Sequence, residues 1–236
     1  MSKLGIIAAL PAEAACLHEK KLTVGSPIEI QQDIFLCLSG MGYESAGNAA
    51  KKYLDLNIDG LISWGVAGAL EPSLNSGDLV LARSIISQNK NFQTSAQWTN
   101  KLLTHFQENN KLLNTDIASS EEVCASIADK NSLFKATGAT AVDMESAAIA
   151  EIALANNLDF LVIRAIADKA NTSIPETVLK HTDNLGNPKV LKFVISCIFK
   201  PSQISELAIL AKSYKTALKR LNDIAPDLKS SDFFYV

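Results

Sequence analysis

Short apolar runs alternate with amphipathic stretches along most of the chain. Gly5-Ile6-Ile7-Ala8-Ala9-Leu10 is continuously apolar and of strand length, the pattern of a strand buried on both faces. Pro11 then opens a predicted helix through Leu17, with the proline in the first turn, where its missing N–H does no harm. Residues 34–38 predict a second strand, ending at Ser39-Gly40-Met41-Gly42. A helix over about residues 43–54 follows, carrying the small residues Ala46, Gly47, Ala49 and Ala50. Residues 61–64 predict a third strand that runs into Gly65-Val66-Ala67-Gly68, and residues 78–82 a fourth, introduced by a turn at Ser76-Gly77. The pattern is weak over 88–135, where it predicts a helix near 96–109 and a loop around 117–123. Met144, Ala147, Ala148, Ile152 and Ala155 recur at helical spacing within a predicted helix over 143–156. The apolar run over 159–167 predicts the strongest strand. A last helix is predicted over 202–221, with a buried stripe of Ile204, Leu207, Ala208, Ala211, Tyr214, Leu218 and Leu221.

Buried strands alternating with helices predict an α/β protein with a central, largely parallel mixed twisted sheet flanked by helices. In such sheets ligands bind beyond the carboxyl ends of the strands. The candidate positions are therefore Glu13, the stretch from Ser39 to Gly42, the stretch from Gly65 to Gly68, and Arg164 with Asp168.

Composition narrows the reading. The chain has 236 residues and no linker-like stretch, which predicts one domain with a helical segment at about 190–222. At 47% hydrophobic and 20% charged it can bury a sizeable core. A net charge of −3 without a basic run excludes a nucleic-acid surface. Cys16, Cys37, Cys124 and Cys197 are dispersed, as expected of reduced thiols in the cytoplasm, and the three histidines are scattered, so no metal is assigned. The apolar N-terminal run ends at Pro11 and is far shorter than the roughly 18 residues of a spanning helix.

Each candidate has two readings. Gly40-Met41-Gly42 with Gly47 lacks the dinucleotide spacing; it is either a tight turn or a cradle for an anion or ribose. Gly65-Val66-Ala67-Gly68 permits either close strand–helix packing or a flat ligand against the backbone. Asp143 and Glu145 fit a helix start as macrodipole partners. Two positions apart on a helix they point about 200° from each other, so one can cap while the other accepts hydrogen bonds from a vicinal diol such as ribose. Arg164 within an apolar run is costly to bury unless paired, and Asp168 ends the same run, as a structural ion-pair partner or as an acid at a strand exit.

Four segments together carry a family resemblance: residues 5–14 (GIIAALPAEA), 39–50 (SGMGYESAGNAA), 63–82 (SWGVAGALEPSLNSGDLVLA), and 141–150 with 160–171 (AVDMESAAIA and FLVIRAIADKAN). Over about residues 1–175 the chain resembles the purine nucleoside phosphorylase and methylthioadenosine/S-adenosylhomocysteine nucleosidase superfamily, and within it the hopanoid-associated phosphorylase subgroup. The resemblance implies cleavage of a purine nucleoside, with adenine as the expected base. In that subgroup the expected substrate is the lipid-tailed adenosylhopane of hopanoid biosynthesis. It implies that Asp168 protonates the leaving base near N7 and that Glu13 activates water. It implies that Glu145 holds the ribose hydroxyls, Met144 lies under the sugar, Gly68 offers backbone to the base and Arg164 orders the site. Val66, Ala67, Val123, Val142 and Asp143 complete the implied substrate-binding set. It also implies a homodimer or higher homo-oligomer.

Departures from the family pattern bear on the nucleophile. Val66 and Ala167 replace hydroxyl residues, Asp143 replaces a glutamate, and Ser63 stands where some phosphorylases carry a phosphate-binding arginine. Glu13 is retained. Water is therefore favoured, with no cofactor; phosphate as co-substrate, giving a sugar 1-phosphate, is the alternative. A non-catalytic nucleoside-binding protein is a further alternative, disfavoured by the three carboxylates. The stretch from Val190 to Leu221 mixes apolar residues with Lys192, Lys200, Lys212, Lys215, Lys219 and Arg220. A helix covering the sheet is favoured there over a surface that meets membrane lipid.

Overall fold

The computed structural model of the chain describes residues 3–88, 90–106, 112–175 and 203–229. In chain order the elements are β1 (Leu4–Ala8), α1 (Pro11–Ala15), β2 (Ile28–Gln31), β3 (Ile34–Leu38), α2 (Tyr43–Lys52), a 3₁₀ turn (Leu54–Leu56), β4 (Gly60–Ala69), β5 (Leu79–Ser87) and β6 (Lys90–Gln93). There follow α3 (Ala96–Phe106), β7 (Leu112–Ser119), α4 (Ile127–Thr137), β8 (Ala141–Asp143), α5 (Ser146–Ala155), β9 (Asp159–Asp168) and α6 (Gln203–Lys229). The strands form one mixed sheet in the order β2-β3-β1-β4-β8-β7-β5-β6, with β9 bridging β4 and β5. The α/β class and the sheet flanked by helices are as the sequence predicts.

Two long strands hold the architecture together. β4 pairs in parallel with β1 on one edge and with β9 on the other, then pairs antiparallel with β8 through Gly68 and Ala69. β9 runs antiparallel to β5, so it sees another strand on both edges and reads as an uninterrupted apolar run. One side of the sheet packs Leu4, Ile6, Leu36, Trp64, Leu161 and Ile163 with α6. The other packs Ile7, Leu61, Phe160, Val162 and Ile166 against the alanine-rich α2 and α5.

Several boundaries differ from the sequence expectations. The predicted loop at 117–123 begins inside β7, whose Leu112-Leu113-Asn114-Thr115-Asp116 start lacks a continuous apolar run. Helix α5 starts at Ser146, not at residue 143, because Asp143 is the last residue of β8 and caps the helix from outside. The last helix runs on to Lys229. Its buried residues are Ala217, Leu221, Ile224, Ala225 and Leu228, whereas Ala208 and Ala211 are exposed. Lys212, Lys215 and Lys219 lie on its exposed face, and Arg220 is half-buried. Residues 190–202 of the predicted helical segment, with Lys192 and Lys200, lie outside the described residues.

Candidate active site

The site is built at the exit of β4. Gly65 stands opposite Arg164 and Gly68 opposite Asp168, with a one-residue slip in the β4–β9 register between Ala67 and Gly68. Alternation along β4 puts Gly65 and Gly68 on opposite sides of the strand. A Cβ at position 65 would lie 2.6 Å from Glu13 Oε1, and one at 68 would lie 3.3 Å from Asp168 Oδ2 and 3.4 Å from Val142 Cγ1. The absence of a side chain at Gly65 is therefore what admits the Glu13 carboxylate against the backbone, whereas a Cβ at Gly68 would only crowd Asp168. Glu13 is on one side of β4, and Asp168, with Val142 of β8, is on the other.

Glu13 is buried and tightly held. Its Oε2 accepts hydrogen bonds from the Ala9 N–H at 3.1 Å and the Leu10 N–H at 2.9 Å, and Oε1 accepts from the Val66 N–H at 2.8 Å. Its own carbonyl accepts from Trp64 Nε1–H at 3.1 Å, which fixes the short helix α1 on the strand. Burial pushes the carboxyl above the ordinary glutamate range; the Val66 N–H, the Arg164 charge and the Leu10 and Ala9 N–H groups pull the other way.

Glu145 reaches across to the loop after β3. Its Oε1 accepts from the Gly42 N–H at 2.9 Å and its Oε2 from the Met144 N–H at 3.3 Å. Gly42 can aim that N–H because its φ is +91°, a conformation open to glycine. Burial, followed by the nearby Asp143 charge, pushes Glu145 up to about 7; Arg164 and the Gly42 N–H oppose that rise.

Arg164 is paired, with Asp143. Its Nε donates to Asp143 Oδ2 at 3.0 Å, and its Nη2 lies 2.8 Å from the same oxygen and donates to Ser63 Oγ at 2.7 Å. Asp143 Oδ1 in turn accepts from Ser146 Oγ at 2.7 Å. Both charges are almost wholly buried, a cost that only pairing offsets. Glu13, Gly65, Glu145, Ile149 and Arg164 line one cavity, together with Ile7 from β1.

Asp168 does not line that cavity. Its carboxylate accepts from Lys130 Nζ, a fully buried ammonium that also donates to the carbonyls of Lys169 and Thr172, each at 2.8 Å. Burial pushes Asp168 above the ordinary aspartate range, and the charge and hydrogen bond of Lys130 pull it down. Lys130 stands in the first turn of α4, whose Ser126–Asp129 capping box fixes the helix start. Sequence reasoning missed it: α4 has no clear apolar stripe, and a buried lysine carries no periodic signature.

The structure thus gathers Glu13, Glu145, Arg164 and Asp143 at the Gly65 side of the β4 exit, with the Val66 N–H on Glu13, and Gly68, Val142 and Asp168 at the other side. Ala67 is buried between them, and Met144 is half-buried beside Glu145. Val123 is 43% exposed, on the stretch leading to α4. Among the described residues no three metal-binding side chains stand together, and no helix is long and apolar enough to cross a membrane.

Residues 3–187 match the family model described as the phosphorylase superfamily. A 5′-methylthioadenosine/S-adenosylhomocysteine nucleosidase of Thermotoga maritima is 25% identical over 185 residues, covering 72% of this chain and 82% of its own. The enzyme of the same name from Staphylococcus aureus strain JH9 is 27% identical over 199 residues, covering 71% and 87%. The fold is similar to that of the Helicobacter pylori nucleosidase of that name in complex with butyl-thio-DADMe-Immucillin-A, at TM-score 0.70, 20% identity, and coverage of 96% and 99%. It is also similar to the native futalosine hydrolase of Helicobacter pylori strain 26695, at TM-score 0.67, 19% identity, and coverage of 96% and 98%.

Proposed function

The chain belongs to the phosphorylase superfamily, and from that premise we propose that it is a nucleosidase, releasing the base of an adenine nucleoside to water. The observation that supports this reading is that two buried carboxylates, Glu13 and Asp168, lie at Gly65 and Gly68, on opposite sides of one strand. Breaking the C1′–N9 bond leaves positive charge on the sugar and a pair of electrons on the purine. In this reading Glu13, made more basic by burial, takes a proton from a water as its oxygen bonds C1′. A proton passes from the Asp168 side to N7 of the departing base. Glu145, with a carboxylate fork beside Met144, accepts hydrogen bonds from the ribose hydroxyls. Arg164 orders the cleft by neutralising Asp143 and acting on Glu13 through space. Each proton transfer of this kind contributes ~10²–10⁴-fold to rate.

Water is favoured over phosphate because the one guanidinium in the cleft is committed to Asp143 and Ser63, and Val66 offers no hydroxyl. The finer reading adds a long apolar group on the 5′ carbon, from the resemblance to the hopanoid-associated subgroup, a cytoplasmic location, from the dispersed thiols, and a homo-oligomer, from the resemblance to the superfamily.

The test is release of free base from methylthioadenosine, 5′-deoxyadenosine, adenosine and inosine, with and without phosphate, followed by chromatography. Adenine release without phosphate, lost in Asp168→Asn, is the expected result. Release that requires phosphate and yields a sugar 1-phosphate would replace water as nucleophile. No release from any of these or from adenosylhopane would end the catalytic reading.

A further inference from the structure

The pairing of Asp168 with Lys130 creates a chemical problem for an acid catalyst. Burial favours the protonated Asp168 carboxyl, whereas the charge and hydrogen bond of Lys130 favour its ionised form, which has no proton to give. The Lys130 side chain is 0% exposed, and its Nζ is hydrogen-bonded to the Asp168 carboxylate and to the carbonyls of Lys169 and Thr172. Those two carbonyls follow Asp168 closely in the chain, so the ammonium ties down the turn that presents the acid.

We propose that Lys130 and Asp168 act as one proton-donating pair, with Lys130 the positioning residue and proton source and Asp168 the group that touches the base. The proposal rests on the nucleosidase reading above and deepens it. As the C1′–N9 bond breaks, its electrons pass into the purine and N7 becomes strongly basic. A single proton is relayed: it crosses from Lys130 Nζ to the Asp168 carboxylate, and the carboxyl so formed passes one proton to N7. The aspartate ends as it began, the base leaves carrying one added proton, and Lys130 is left as a neutral amine until solvent restores its proton. Exclusion of water by the bound base favours this, because desolvation penalises an ion pair relative to its neutral form. Among the described residues the groups facing Asp168 are few. From α4 there is Lys130, and from the stretch before it the Cys124 thiol, which feels both charges. Gly68 and Val142 bring none, and the Lys169 ammonium is turned away to Asn75 Oδ1 at 2.7 Å.

Two variants separate this from a purely structural cation. Lys130→Arg keeps the charge, but a guanidinium stays protonated and cannot pass its proton on. Its kcat should fall at least ~10-fold, within the range of lost acid catalysis, with KM little changed. Lys130→Met leaves Asp168 to act alone, only while itself protonated. Its kcat relative to wild type should be nearest unity in acid and fall as pH rises. Glu13 and Glu145 titrate in both proteins and cancel in that ratio. A counter-ion without a proton role predicts the opposite slope, because removing the cation lets Asp168 keep its proton to higher pH. That slope, or a Lys130→Arg enzyme with wild-type kcat, overturns the proposal. Asp168→Asn run alongside tells the two failures apart. If it stays active, the nucleosidase site assignment fails; if it is dead while both Lys130 variants keep wild-type kcat, only the pair fails. Should Lys130→Met not fold, Lys130→Arg alone decides.

Discussion

Gly65→Ala probes whether Glu13 sits where the reaction needs it. The added methyl would stand 2.6 Å from Oε1, 2.8 Å from Cδ and 3.0 Å from Oε2 of Glu13, against an ordinary contact of 3.4 Å or more. Oε1 must therefore move by about 0.8 Å, or the strand must give by as much. Moving Oε1 puts at risk the 2.8 Å bond from the Val66 N–H. A hydrogen bond to a charged group contributes ~1.5–3 kcal/mol, so the variant should lose roughly that much stability. For a chain of this size that corresponds to a fall of roughly 3–12 °C in melting temperature. The rate should suffer more, since a misplacement of ~1 Å in a catalytic group can cost ~10²-fold. Thermal unfolding by calorimetry, beside base release at saturating substrate, reads both quantities. A variant with wild-type melting temperature and wild-type kcat would refute the idea that Gly65 makes room for a working Glu13. Lost stability with full activity would keep the packing argument and remove Glu13 from the chemistry.

Arg164→Met strands the buried Asp143 without its partner, and denaturant unfolding should show a loss of ~3–5 kcal/mol. Arg164→Lys should recover little of it, because an ammonium cannot reach both Asp143 and Ser63 as the planar fork does. Glu145→Gln should act oppositely on the empty protein. The folded state raises Glu145 to about 7 from an ordinary value of 4.5, so its contribution is present below the unfolded value and lost as pH rises through 7. The amide variant should therefore match wild type near pH 4.5 and be more stable at pH 8, by on the order of 3 kcal/mol at most. The same variant should raise KM for ribosides, measured by initial rates. A pH-independent stability difference would contradict the burial argument.

The strand exits were legible because a continuous apolar run that stops at glycine or charge fits a buried strand leaving its sheet and little else. β1, β3, β4 and β9, with the residues at their ends, emerge where periodicity predicts, although β4 and β9 run further into the site. What stayed hidden has a common physical cause. β7, β8 and α4 owe their form to neighbours: Ile117 and Ala118 pair with β5, and Val142 with Gly68. Their local patterns alone do not specify them. Pairing was hidden too. Arg164 and Asp168 share a strand and invited a reading as mutual partners, yet Arg164 found Asp143 and Asp168 found Lys130, at sequence separations of 21 and 38 residues.

The register slip after Ala67 decides on which side of the sheet Asp168 stands. With unbroken alternation Asp168 would project to the same side of the sheet as Arg164, four residues earlier, and so to the side of Glu13. The extra residue at Ala167 sets Asp168 opposite Gly68 instead. If Glu13 and Asp168 are the working carboxylates of the proposed reaction, they act from opposite sides of the strand end, and a single inserted residue is what separates them.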